Sequence, residues 1–310
     1  MDHDHDTLRV SLPSSSWADA LGDVAGVEVG VWDGASPLPD PAPHVVVPPY
    51  VVAPDLSALS GAEGVRVVQL MTNGFDGVLQ QLPPHVTVCN AAGVHDASTA
   101  ELAVGLALAS LRGLDDAARA MPHGDWNARR RTSLADRRVL VVGWGGVGRA
   151  VARRLEGFEV AVTAVGSRAR HQDGVDVHGP DELPALLPDH DVVVLACPLD
   201  ESTRGLVDAA FLAALPDGAL VVNVARGPVV DTDALLAELR SGRLTAALDV
   251  TDPEPLPAEH PLWTAPGCLV SPHVGGNTSA SRPRFVRLLR AQLELLVAGS
   301  GPENVVRAGV

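Results

Sequence analysis

Short runs of Val, Leu and Ala recur along the chain, separated by polar stretches rich in Gly and Pro. In the N-terminal third they predict strands at Leu8–Leu12, Val27–Val31, 44–47 and 65–70, with weak helical stretches between them. Unbroken apolar runs bounded by turns are typical of parallel strands buried on both faces, with helices covering the sheet. At Ser98 the period changes. Ser98-Thr99-Ala100-Glu101 reads as a capping box, with Glu101 as a cap, opening a helix that runs to about Leu111. That helix is apolar nearly all round, so it is expected to be buried or to form a subunit contact.

A second α/β rhythm follows, with strands predicted at 139–142, 160–165, 192–196, 219–222, 246–249 and 268–271. Helices are predicted at 147–157, 208–215 and 231–241, the last opened by an Asp-Thr-Asp cap, and a final amphipathic helix at 283–298 begins with Pro283. The expectation is two α/β domains, the second inserted into the first or following it.

Composition narrows the function classes. Aromatic residues make up 3% against 46% hydrophobic, which favours α/β layers over an aromatic-cored β sandwich. A formal charge of −15 argues against nucleic acid or an anionic membrane surface as partner, so any bound anion must be held by a local site. The 23 basic residues are all Arg, which excludes lysine Schiff bases, a Walker lysine and lysine general bases. Cys89, Cys197 and Cys268 are odd in number and contain no CxxC, pointing to buried thiols in a reducing cytoplasm, with no metal site. The opening MDHDHD reads as a solvated tail and lacks the basic and apolar regions of a signal peptide. No run approaches the roughly 18 apolar residues of a membrane helix.

The segment VLVVGWGGVGRA carries GxGxxG between a strand and a helix pattern, the context that turns a weak motif into a strong one. Gly143 allows the tight turn, Gly145 lets backbone approach a pyrophosphate, and Gly148 permits close packing of helix on strand. Gly146 and Val147 belong to the helix N-terminus, which offers N–H groups and partial positive charge. About twenty residues beyond such a loop an acid usually accepts hydrogen bonds from the ribose 2′-OH. AVGSRAR offers Ser167 and Arg168 there instead. A guanidinium pairs a 2′-phosphate bidentately, and Ser167 can add a hydrogen bond, so NADP is expected, with NAD possible. Arg168 could also be a solvated surface arginine, and Arg170 a second clamp.

Downstream, CPLDESTRGLV, VVNVARGPVVDTDALLAEL, AALDVTDPEPLPAEHPLW and SPHVGG occur in the order and spacing of one family. The chain resembles the D-isomer-specific 2-hydroxyacid dehydrogenases of the glyoxylate/hydroxypyruvate reductase kind. The resemblance implies a Rossmann dinucleotide-binding domain inserted in a smaller flavodoxin-like α/β substrate domain. The expected parts are 1–96 for the first segment of the substrate domain, 97–280 for the Rossmann domain and 281–310 for a crossing helix that returns to the substrate domain. Arg226 would hold the substrate carboxylate and polarise the reacting carbonyl; a structural ion pair is the alternative. His273 would move the proton, with Glu254 as the partner that orients the imidazole and favours its charged form. Asp249 would lie near the nicotinamide carboxamide or merely cap nearby N–H groups, and Cys197, Pro198, Val224 and Gly275 would complete the cofactor site. MTNGFDGV matches the turn whose backbone receives the substrate carboxylate, centred on Asn73 and Gly74. Tyr50 would either contact substrate or only pack.

The expected activity is hydride transfer between NADP(H) and a small 2-keto or D-2-hydroxy acid, with glyoxylate and hydroxypyruvate leading. The alternatives are phosphoglycerate dehydrogenase, though the chain leaves no room for the regulatory domain that many of these carry, and a nucleotide-sensing scaffold. A homodimer joined through the Rossmann domain is expected.

Overall fold

Alternation within each apolar run decides which side of a sheet a residue covers. Val45 and Val47 join a core with Val10, Leu12 and Phe285, while Val46 faces the opposite way, into a core with Trp32, Leu59 and Val88. Both sides of the 45–47 run find apolar partners, so it is unbroken, whereas the strands Leu8–Leu12 (LRVSL) and Val27–Val31 (VEVGV) carry polar residues between their apolar ones. The computed structural model describes residues 7–50 and 55–309; MDHDHD lies outside the described residues.

In chain order, β1 (Leu8–Leu12), α1 (Ser15–Leu21), β2 (Val27–Val31), β3 (Val45–Val46), β4 (Val67–Gln69) and β5 (Thr87–Cys89) come first. There follow α2 (Asp96–Arg112), α3 (Leu114–Ala120), β6 (Arg138–Val142), α4 (Gly146–Leu155), β7 (Ala161–Val165), β8 (Arg170–Gln172) and β9 (Val175–His178). Then come α5 (Leu183–Leu186), β10 (Val192–Leu195), α6 (Ala209–Ala214), β11 (Leu220–Asn223), α7 (Thr232–Ser241), β12 (Thr245–Leu248) and β13 (Cys268–Val270). The chain finishes with α8 (Ser281–Val297) and β14 (Val305–Arg307). Two compact units result: one of residues up to His95 and from Ser279 on, the other Asp96–Thr278.

The first unit holds a six-stranded sheet in the order β14-β5-β4-β3-β1-β2, parallel except for β14. Phe285, Leu289 and Leu293 of α8 cover one face, and Trp17 meets Phe285 edge-on at 5.7 Å between ring centroids. A buried amide network pins the same helix: Gln292 donates to Gln69 (2.9 Å) and to the Glu303 carbonyl (2.8 Å). β14 is locked by Arg307, whose guanidinium donates to the carbonyls of Leu79 (2.7 Å), Leu82 (3.2 Å), Pro83 (2.7 Å) and Val86 (3.1 Å).

The second unit holds an eight-stranded sheet in the order β13-β12-β11-β10-β6-β7-β9-β8. Leu140, Val193, Leu195, Val221 and Leu248 line one core with Phe211 and Leu239. Val139, Val141, Val194 and Val222 line the other, with Ala100 and Ala103 of α2 and Val151 of α4. Fully burying one such aliphatic side chain contributes roughly 1.5–3 kcal/mol, so the two faces supply most of this unit's stability. Among the described residues no helix is long and apolar enough to cross a membrane.

Three differences from the sequence expectations have local causes. α2 starts at Asp96, so Ser98 lies inside the helix, where its hydroxyl pairs with Thr278 (2.8 Å). Glu101 is therefore an exposed helix residue and not a cap; Asp96 supplies the first-turn negative charge instead. β5 and β14 were not anticipated, because each is three residues long, too short to show a period, and is defined by its neighbours: β5 pairs with β4 and β14, and β14 with β5. The β8–β9 hairpin turns on Asp173-Gly174 (φ 52° and 80°), a short-range signal that the apolar pattern hides.

The Arg307 lock yields a stability prediction. Arg307→Met keeps much of the stem and removes every donor, leaving carbonyls that must find water; a loss of about 2–4 kcal/mol is expected. Urea unfolding of the variant checks it, and a midpoint within error of wild type would make the four carbonyl contacts irrelevant to stability.

Candidate active site

Every feature of interest in the second unit lies at the carboxyl end of a strand. β6 pairs in parallel with β7 and β10, and β10, β11, β12 and β13 continue parallel in series. Their carboxyl ends therefore share one edge of the sheet. Gly143 follows β6, Gly166 follows β7, Cys197 lies just beyond β10, Arg226 beyond β11, Asp249 follows β12 and His273 lies beyond β13. Open parallel sheets bind ligands at this edge, where the chain order reverses, here between β6 and β10.

At that reversal the backbone is crowded. Gly143 has φ 108°, and a Cβ there would meet the Cys197 nitrogen at 2.4 Å and the Ala196 carbonyl oxygen at 2.6 Å. A Cβ on Gly148 would meet the Gly143 carbonyl oxygen at 1.9 Å, so α4 packs on the turn with no room for a side chain. Gly145 is the opposite case: its Cβ direction opens into free space at the N-terminus of α4. Two glycines that must be small for the protein's own packing thus frame an open cradle of N–H groups, and a pyrophosphate fits it. On Gly146 a Cβ would strike the Asp96 carboxylate at 2.0 Å, a packing role the motif alone does not reveal. Val147 is half-buried beside it.

Beyond β7, Ser167 and Arg168 are exposed, and the Arg168 guanidinium has no hydrogen bond or ion pair with any described residue. Arg170 differs: its guanidinium donates to Gln172 Oε1 (2.8 Å), to the Arg168 carbonyl (3.2 Å) and to the Trp144 carbonyl (3.3 Å). At the end of β10 Cys197 is buried, which pushes its thiol up to about 11, and Pro198 is exposed.

The turn after β11 is held by Asn223, which sequence reasoning overlooked. Its amide donates to the Arg226 carbonyl (3.0 Å) and its oxygen accepts from the Ala225 N–H (3.0 Å). A polar residue ending an otherwise apolar strand run was the available signal. Val224 is buried, while Arg226 is half-buried with Nη1 on the Ala225 carbonyl (2.7 Å). Gly227 has to be glycine, because a Cβ would lie 1.9 Å from the Thr251 carbonyl oxygen. The Arg226 turn and the 251–254 segment are therefore in direct backbone contact.

Asp249, 3% exposed, organises the third loop. Its carboxylate accepts from the Ser271 hydroxyl (2.8 Å), the Val274 N–H (2.9 Å) and the Gly275 N–H (2.9 Å), and its carbonyl accepts from the His273 N–H (2.8 Å). Those bonds hold His273 at φ 52°, a left-handed conformation uncommon for a residue with a side chain. A Cβ on Gly275 would meet the Asp249 carboxylate at 2.8 Å, so this loop too requires glycine. The imidazole Nδ1 is hydrogen-bonded to Glu254 Oε1. Burial alone would raise the Glu254 carboxyl pKa. The hydrogen bond and charge of His273, the Thr251 backbone N–H and the Arg226 charge together carry it below the usual carboxylate range. Glu254 is thus held as an anion beside the His273 imidazole and within the field of the Arg226 guanidinium. With Nδ1 engaged, Nε2 is the nitrogen that makes no hydrogen bond with a described residue.

Asn73, Gly74 and Tyr50 belong to the first unit. The 71–74 turn is braced from within that unit: the Asn90 amide donates to the Asn73 carbonyl (2.8 Å), the Ala91 N–H to the Thr72 carbonyl (2.9 Å), and Thr72 Oγ1 to the Gly74 carbonyl (2.7 Å). His95 Nε2 pairs with the Met71 carbonyl (2.7 Å), and its ring lies 5.9 Å from that of Tyr50, which is 44% exposed. The structure thus brings Arg226, Asp249, Glu254 and His273 together at one edge of the second sheet, while Asn73, Gly74 and Tyr50 sit in the other unit.

Residues 104–275 match the model of the D-isomer specific 2-hydroxyacid dehydrogenase NAD binding domain. The chain is 32% identical over 281 residues to human glyoxylate reductase/hydroxypyruvate reductase, covering 85% of this chain and 86% of that protein. It is 28% identical over 254 residues to a D-3-phosphoglycerate dehydrogenase of Methanocaldococcus jannaschii, covering 79% of this chain and 48% of that one. A D-isomer specific 2-hydroxyacid dehydrogenase from Xanthobacter autotrophicus Py2, solved with NADPH and MES, superimposes with a TM-score of 0.83 at 29% identity, covering 97% of this chain and 98% of that one. The chain belongs to the D-isomer specific 2-hydroxyacid dehydrogenase family and is an NAD(P)-dependent oxidoreductase acting on 2-hydroxy acids.

Proposed function

We propose that this enzyme reduces a small 2-keto acid, glyoxylate or hydroxypyruvate, to the D-2-hydroxy acid and prefers NADPH. The observation that carries the chemistry is the hydrogen-bonded His273–Glu254 pair, with the Arg226 charge acting on the same carboxylate. The name of the human relative supports the substrate class, and the NADPH bound by the Xanthobacter protein supports the cofactor.

The Arg226 guanidinium holds the substrate carboxylate and leans on the carbonyl oxygen, drawing electron density from the reacting carbon. The bound nicotinamide cofactor supplies the hydride when the keto acid is reduced. The oxygen then gathers negative charge, and His273 delivers its Nε2 proton there; in the oxidative direction it takes the proton back. Glu254 keeps the Nδ1 proton in place and balances the imidazolium charge. The turns of Gly143, Gly145, Gly146, Val147 and Gly148, with Cys197, Pro198, Val224, Asp249 and Gly275, hold the dinucleotide. Ser167 and the unpaired Arg168 receive the 2′-phosphate.

The proposal includes a cytoplasmic homodimer. Its support is three free thiols and an apolar stretch of exposed Leu114, Met121 and Trp126, the last 93% exposed, which a second copy would cover.

A panel of 2-keto acids assayed with NADPH and NADH tests the reading. NADPH should be favoured in kcat/KM by about ten- to a hundredfold, the equivalent of a charge-assisted contact worth roughly 1.5–3 kcal/mol. Arg168→Asp should reverse the order. A wild-type preference for NADH of tenfold or more would leave Arg168 as a solvent-facing residue, and turnover of phosphorylated substrates alone would favour phosphoglycerate dehydrogenase.

Arg226→Lys should be severely impaired although the charge is kept, since an ammonium cannot span carboxylate and carbonyl oxygens as a planar fork does. Near-wild-type kcat/KM in a folded variant would reduce Arg226 to a structural ion-pair partner.

The third test is the pH profile of reductive kcat/KM. Reduction consumes a proton held on His273, so the rate is steady at low pH and falls as pH rises and that proton is lost. Glu254, held ionised below the usual carboxylate range, favours the protonated imidazole. Removing the anion in Glu254→Gln should move the falling limb to lower pH. His273→Ala should lose on the order of 10²–10⁴ in rate at every pH. Superimposable wild-type and Glu254→Gln profiles, with a deuteride isotope effect showing that chemistry limits the rate, would separate Glu254 from the catalytic proton.

A further inference from the structure

On the proposed function, two turns would hold the dinucleotide: the glycine turn after β6 at its diphosphate and the Ser167–Arg168 turn after β7 at its adenine ribose. One side chain joins them. Arg170 stands on the first residue of β8, and its guanidinium donates to the Trp144 carbonyl inside the glycine turn (3.3 Å) and to the Arg168 carbonyl (3.2 Å). Its Nε donates to Gln172 Oε1 (2.8 Å), which fixes the plane of the fork. The β7 turn is shaped to admit it: a Cβ on Gly166 would lie 2.5 Å from Arg170 Nη1 and 3.0 Å from Val177 Cγ1. The Arg168 guanidinium, by contrast, is exposed and makes no hydrogen bond or ion pair with a described residue.

We propose that Arg170 is a positioning residue, a strut that sets the separation of the two turns, and that it does not bind the 2′-phosphate. The fork satisfies two carbonyls from different strand ends at once, which a flexible ammonium on a single contact cannot do. Because NADH and NADPH must both lie across the two turns, the strut acts on both. A phosphate clamp would act on NADPH alone.

Equilibrium titration of the full-length protein with NADH and with NADPH, followed by fluorescence, separates the two roles. Arg170→Met should weaken both dinucleotides by a similar factor, roughly tenfold for the loss of two charge-assisted hydrogen bonds. Arg170→Lys should stay weakened for both, since it keeps the charge and loses the fork. Gly166→Ala, which displaces the guanidinium with its charge intact, should reproduce the pattern. Thermal melts without ligand establish that each variant is folded.

Loss of NADPH affinity alone in Arg170→Met, restored in Arg170→Lys, would overturn the proposal in favour of a phosphate clamp. Unchanged affinity for both dinucleotides in all three folded variants would also overturn it. The outcome is independent of which cofactor the wild type prefers, so a failure of the NADPH reading leaves this test intact.

Discussion

The carboxylate of Asp249 is the fixed point of the candidate catalytic edge. It is nearly inaccessible to water, yet it accepts three hydrogen bonds from the loop after β13, and its own carbonyl accepts a fourth. A buried carboxylate is costly unless its lone pairs are met, and here Ser271, Val274 and Gly275 meet them. The bonds also oblige the chain to turn sharply at His273, which is how a histidine comes to hold a left-handed φ of 52°. A strain of order 1–3 kcal/mol is kept in place by contacts that together outweigh it. The choice that sequence reasoning left open for Asp249, cofactor contact or N–H cap, is settled on the second count by these distances.

The other loops of that edge are coupled by contact between backbones. At Gly227 the strand-end turn carrying Arg226 touches the Thr251 carbonyl so closely that no side chain fits. Thr251 Oγ1 in turn donates to the Pro253 carbonyl (2.9 Å), and Thr232 at the start of α7 donates to the Asp252 carbonyl (2.9 Å). Arg226, Glu254 and His273 come from three different loops, yet each loop is tied either to its neighbour or to a strand end. Preorganisation of this kind lets the charges of Arg226 and His273 act on Glu254 without waiting for a loop to order.

How much of this was legible follows from which interactions are local. β1 and β2 were found with their observed bounds because apolar runs flanked by Gly and Pro punctuate themselves. β5 and β14 were not, because three-residue strands show no period of their own and are defined by the neighbours they pair with. The glycine turn was legible since backbone crowding at Gly143 and Gly148 leaves a spacing in the sequence. The bracing by Asn223 and the Gly146–Asp96 contact were illegible, because they depend on strand ends and a helix start far apart in sequence becoming neighbours. Ser98 and Glu101 show the converse failure. A local capping pattern was present, but the helix gained two residues at its start and made the pattern irrelevant.

The acidic balance of the chain sharpens what the arginines do. At a net charge of −15 the long-range field repels both a keto acid and a dinucleotide. That field is screened over about 8 Å at physiological ionic strength, whereas a guanidinium within 4 Å of an anion at a partly buried site contributes about 4 kcal/mol at an effective dielectric near 20. Local geometry therefore decides binding against the global charge. The proposed anion-binding groups accordingly lie at strand ends and a helix N-terminus, where backbone N–H groups add to the arginines. Local geometry also separates Arg168 from Arg170 on physical grounds. The Arg170 guanidinium is tied in place by the Gln172 oxygen and two carbonyls, whereas that of Arg168 makes no hydrogen bond with a described residue and is free to turn toward an anion.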